Sequence, residues 1–135
     1  MKNTLMVLML LTSTSVFAGG MCIVDMRTVF SSSDKIKAVE AKYSAELIQA
    51  AANGGTQDAG IHQSRIIERQ AVEAEIRSKV DEYVKTLGYD SMVDIAKLGN
   101  QANVLKVLDP NGDLTSKIVE KVNTEWFPNP TPAKK

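Results

Sequence analysis

The sequence predicts an α+β protein, with a small β-strand body, a protruding antiparallel helical hairpin and a short C-terminal helix. Three observations predict it. Residues 21–26 (MCIVDM) form a short apolar run with β-branched members, the pattern of a buried strand. Two segments of helical period, 34–52 and about 61–87, flank the breaker Asn53-Gly54-Gly55. Beyond Gly88 the pattern switches to short β-rich runs.

The first 18 residues lie outside this fold. Lys2 is a minimal positive start, residues 5–11 (LMVLMLL) are apolar, and 12–18 (TSTSVFA) lead to a small-residue cleavage site with Val16 and Ala18 at −3 and −1. The apolar run falls far short of the roughly 20 residues that span a bilayer. Residues 1–18 are therefore expected to be a cleaved export signal, which leaves a mature chain of 117 residues with net charge −1. Cys22 stands four residues past that site. A lipidated cysteine needs small residues before it, and Met21 is the wrong neighbour. Cys22 reads instead as a small hydrophobe of the apolar run, with a disulfide to another chain left open.

Within the hairpin, Ile36, Val39, Tyr43, Leu47 and Ala50 recur at spacings of three and four and make one helical face. Ser31–Ser33 offer capping hydroxyls before them, and Asp34 sets a carboxylate on the positive helix end. Residues 27–30 fit a helical turn. The stretch through Gly60 lacks periodicity and reads as a loop. The second helix carries Val72, Ile76, Val80, Tyr83 and Leu87 as its stripe, with a diffuse distal face at Ile66, Ile67, Ala71 and Ala74, and Gly88 closes it. The first helix is about 28 Å long at 1.5 Å per residue, and such a pair is too thin to bury a core alone. It must pack on a β body or on another copy.

The body is assigned to 21–26 and 88–124, with strands at 89–95 and 103–108 and a turn at Asp109-Pro110-Asn111-Gly112. Asp113 or Thr115 caps a last helix whose Leu114, Ile118, Val119 and Val122 share a side. One domain spans 19–127, and 128–135, with three of the four prolines, is a loose tail. Strands this short leave open edges and faces, so an obligate oligomer is expected.

Composition narrows the chemistry. Lys+Arg and Asp+Glu each number 16, so no global charge points to nucleic acid or to an anionic membrane. One Cys and one His exclude an intramolecular disulfide, a cysteine zinc cluster and a His-rich metal centre. Residues 109–120 (DPNGDLTSKIVE) carry acids and amides at calcium-loop positions. They place Leu114 where that loop needs Gly and Lys117 beside the metal, so a turn and a helix cap explain them better. His62 reads as a surface residue, Trp126 and Phe127 as cover for a small core, and the alternating charges of the hairpin as a solvated face. No phosphate loop is present. No cofactor and no enzymatic activity are expected.

The segments 22–26 with Val29-Phe30, 87–90, and 113–119 with Val122-Asn123, at the two ends of the chain, resemble the Skp/OmpH periplasmic chaperone family. Cys22-Ile23-Val24-Asp25-Met26 with Val29-Phe30 is similar to that family's opening strand. Leu87-Gly88-Tyr89-Asp90 is similar to its helix end and strand entry. Val104-Leu105, then 113–119 (DLTSKIV) and Val122-Asn123, are similar to its closing helix. The resemblance covers roughly 21–36 and 80–123, and the hairpin between them matches in pattern only. It implies a homotrimer in the periplasm whose hairpins project as arms, an ATP-independent holdase for unfolded outer-membrane proteins, without nucleic-acid binding or stable membrane insertion. Tyr43, Leu47, Ile66, Ile67 and Val72 are the candidate client surface, with helix packing the competing role above all for Leu47 and Val72. That family's arms are longer and basic. Over 34–87 this chain has 8 Lys+Arg and 9 Asp+Glu, a short near-neutral arm that would enclose less and steer acidic clients poorly. The competing reading is an envelope adaptor that uses the same oligomeric hairpin fold without chaperone activity.

Overall fold

The computed structural model describes residues 20–56, 58–101 and 110–129. The export signal expected at 1–18, the strand expected at 103–108 and the tail from residue 130 lie outside the described residues. The chain is α+β and mostly helical. Strand β1 (Met21–Val24) pairs in parallel with β2 (Ser91–Asp94), Cys22 opposite Met92 and Ile23 opposite Val93. On its other side β1 bridges Asp113, where the Leu114 N–H donates to the Ile23 carbonyl at 2.9 Å. Parallel strands need a long crossover, and here three consecutive helices supply it.

The first strand is shorter than expected. It ends at Val24 because Asp25 leaves the strand and caps helix α1 (Met26–Ser32), its carboxylate accepting from the Thr28 N–H and hydroxyl. The single turn expected at 27–30 is therefore two turns, with Met26, Val29 and Phe30 buried. Ser33 then does two jobs. Its N–H closes α1 on the Phe30 carbonyl, and its hydroxyl caps α2 (Asp34–Ala52) by accepting from Ile36 N–H.

The break after α2 follows from glycine chemistry. Gly54 and Gly55 have φ of 108° and 74°, and their N–H groups close back on the Ala51 and Ala50 carbonyls. Helix α3 runs Asp58–Thr86, so 58–60, expected as loop, are its first turn. Apolar periodicity misses such a turn because it needs only a carboxylate near the helix end, here Asp58, and no buried side chain. Gly88, at φ 86°, ends α3 with the same pair of closing bonds, from Gly88 N–H to Lys85 and from Tyr89 N–H to Val84.

Helices α2 and α3 lie antiparallel, with Lys35 paired to Glu75 at 2.7 Å and Lys42 to Glu68 at 2.9 Å. That register puts Val80 and Val84 past the start of α2, where they pack on the body. Val84 is buried, and Leu87, assigned to the stripe, is 45% exposed. The contact row follows 72, 76, 80, 84, and the chain leaves the helix before Leu87 can join it. The strand expected over 89–95 forms only at Ser91–Asp94, because Asp94 turns the chain by accepting from Ala96 N–H. The C-terminal helix α4 (Thr115–Lys121) continues into one wide turn, Val122–Trp126. Leu114, Ile118 and Val122 are buried beside Cys22, Val24 and Met26, in one core with the hairpin stripe.

Candidate binding surface

Four polar side chains fasten this scaffold. Thr115 Oγ1 accepts from Asp25 N–H at 2.9 Å and donates to Asp113 at 2.6 Å, joining the end of β1 to the start of α4. Asp113 also accepts from the Thr115 N–H, but Leu114 takes the N-cap position of α4 without a side-chain cap bond, so neither Asp113 nor Thr115 caps the helix as the sequence suggested. Asp94 accepts from Met26 N–H at 3.2 Å and faces Arg77 at 3.9 Å, which ties β2 to α1 and α3. Asn123, in the wide turn, donates to the Ser32 carbonyl and accepts from Asp34 N–H, both at 2.9 Å. It thereby locks the α1–α2 junction. These residues serve the architecture, and the hairpin is left free to carry a surface.

The apolar seam of the hairpin ends midway. Tyr43 and Val72, two of the five candidate client residues, are buried within the core cluster. They pack the helices together and offer no surface, which corrects the client role for Tyr43 and, for Val72, selects the packing role that competed with it. Each lies on its helix's inner stripe, so the same pattern that drew attention to them buries them. Leu47 is half-buried at the edge. Ile66 and Ile67 are 43% and 58% exposed, and Ile48 is exposed further, at 73%. Ile48 escaped the sequence reading because it stands off the stripe. The available signal was a large aliphatic residue on an otherwise polar helix face.

A band of charge crosses the hairpin at this level. Glu40 accepts from Arg65 at 3.0 Å and from Arg69 at 2.7 Å, and Arg69 also pairs with Glu73 at 2.8 Å. Glu68 accepts from Lys42 and from the Tyr43 hydroxyl. The Arg69 hydrogen bond holds the Glu40 carboxyl below its ordinary range, with Arg65 adding to it. The Tyr43 and Lys42 bonds do the same for Glu68, while the Tyr43 hydroxyl is pushed up, chiefly by donating to Glu68.

Elsewhere the surface is less specific. An open, polar groove of about 510 Å³ runs between α3 and the wide turn, past Lys79, Glu82, Lys121 and Glu125. At its floor Tyr83 and Trp126 meet edge to face, 5.7 Å between ring centres, so Trp126 covers the core as expected. Phe127 lies under the Lys35 ammonium at 4.4 Å. His62 is exposed. Cys22 is fully buried, and burial raises its thiol pKa, the environment of an inert cysteine. Among the described residues no group of three His, Cys, Asp or Glu could hold a metal ion, and no helix is long and apolar enough to cross a membrane. What the arrangement presents along the hairpin is three exposed isoleucines, Ile48, Ile66 and Ile67, outside the packed seam. Comparison with protein families, curated proteins and solved structures finds no match to this chain.

Proposed function

We propose that the protein is an exported, ATP-independent holdase of the Skp/OmpH kind, which keeps unfolded outer-membrane proteins from aggregating in the periplasm. The observation that carries this reading is the exposure of Ile48, Ile66 and Ile67 on a hairpin whose own seam is already filled by Tyr43, Val72 and Ile76. The reading takes these three isoleucines together as one apolar surface, the kind of exposed patch that marks a site for a partner. Burying such a side chain against an unfolded chain is worth about 1.5–3 kcal/mol, enough for binding that relies on many weak contacts and no fixed sequence. The reading keeps Ile66 and Ile67, adds Ile48, and leaves Leu47 at the margin.

On this reading the protein is a homotrimer, with 34–87 as the arm of each chain and the β1–β2–α4 end as the body. Several arms together would surround a client that one thin hairpin could only touch. The test is aggregation of an unfolded outer-membrane β-barrel protein diluted from urea. The purified protein should suppress light scattering near one trimer per client. The triple variant Ile48→Ser, Ile66→Ser, Ile67→Ser should keep its fold and lose the suppression. A parent protein without effect at several-fold excess overturns the proposal.

A further inference from the structure

We infer that the hairpin is built as a fixed base and a separately opening tip, divided by the clasp that Glu40, Lys42 and Tyr43 make with Arg65, Glu68 and Arg69. Three observations meet at this boundary. On the base side Ile36, Val39, Tyr43, Val72 and Ile76 are buried. On the tip side none of the described residues from 44 to 71 is buried, and of the apolar ones only Leu47, Ala50 and Ile61 are half-covered, Ile61 packing against the edge of the core cluster. Cross-helix ion pairs and side-chain hydrogen bonds occur at Lys35–Glu75 and at the clasp, and the described residues 44–64 contribute none.

The local sequence weakens the tip further. Ala50, Ala51 and Ala52 end α2 with little side chain to pack, and Gly60 sits in the first turn of α3, where glycine's backbone freedom lowers the stability of the helix start. Segments with few buried apolar contacts open at lower free energy than the core beside them. The clasp is where unzipping from the tip stops, because there each further step must part the Glu40–Arg69 and Tyr43–Glu68 bonds as well as bury less apolar surface. Opening frees Leu47 and Ile61, so the hairpin holds apolar surface in reserve. The device is independent of what the hairpin binds, and its test uses no client.

Amide hydrogen exchange on the purified protein reads it directly. Among the intrahelically bonded amides of the hairpin, fast exchange should be confined to residues 45–52 and 62–64, while 76–84 exchange slowly. Glu40→Gln removes the anion shared by both arginines, and fast exchange should then spread into 41–43 and 65–71, with 76–84 and Trp126 fluorescence unchanged. Gly60→Ala meets open space for its added methyl and should slow tip exchange by up to about fivefold, the factor that about 1 kcal/mol of interior helix propensity represents. A single common rate along the whole hairpin overturns the inference. So does a boundary that Glu40→Gln leaves where it was.

Discussion

Replacing Asn123 tests how much of the fold depends on one side chain far from the hairpin. Its amide donates to the Ser32 carbonyl and its oxygen accepts from Asp34 N–H, each at 2.9 Å in a partly buried setting. Asn123→Ala leaves both backbone groups without their partner, and each such loss costs about 1–3 kcal/mol. Water reaches a partly buried site, so the sum is expected in the lower half of that range, about 2–4 kcal/mol. Asn123→Asp separates the two bonds. It keeps the acceptor for Asp34 N–H, where the N-terminus of α2 favours a carboxylate by about 0.3–1 kcal/mol, but replaces the donor to Ser32 with a second acceptor that must turn away from that carbonyl into water. The expected order of stability is parent, then Asp, then Ala. Urea unfolding followed by the fluorescence of Trp126, the single tryptophan, measures it, because Trp126 packs on Tyr83 in the body and does not report the tip. The denaturant slope should stay constant while the midpoint falls. An alanine variant within about 0.5 kcal/mol of the parent, inside the scatter of ordinary surface substitutions, would refute the argument that this residue locks the junction.

Three further outcomes follow from the same geometry. Ile76→Ala empties a fully buried position and should cost about 2–5 kcal/mol, read as a lower urea midpoint. Gly88→Ala should cost about 1–2 kcal/mol through backbone strain alone, since φ is 86° and nothing lies within 4 Å of the added carbon; Gly88→Asn should cost less in the same assay. The clasp should weaken at both ends of the pH range. Glu40 and Glu68 have folded pKa values below their unfolded ones, so their stabilisation is present above the ordinary value of 4.5 and is lost as pH falls through the depressed values. Tyr43 is raised, so its contribution is present below its ordinary value of 10.0 and lost as pH rises through the raised one. Far-UV ellipticity should fall at both extremes before Trp126 fluorescence changes, and simultaneous loss of the two signals at both extremes counts against the clasp.

The sequence by itself determined what depends on near neighbours. Ser33 capping α2, Gly54-Gly55 ending it and Gly88 ending α3 each involve groups within a few residues, so side-chain chemistry and the left-handed φ of glycine are enough to locate them. The 3.6-residue period likewise marked Ile36, Val39, Val72, Ile76 and Val80 as inward-facing. Only the tertiary structure decided the rest. Asp25–Thr115, Met26–Asp94 and Asn123 with Ser32 and Asp34 join residues 68 to 91 apart in sequence, and no local pattern encodes such a partner. The register of α2 on α3 decided that Val84 is buried and Leu87 exposed. It also decided that Tyr43 and Val72 close the seam while Ile48 and Ile67 stand in water. Periodicity reports which side of a helix is apolar, and it takes a packed neighbour to determine how far along the helix that side is covered.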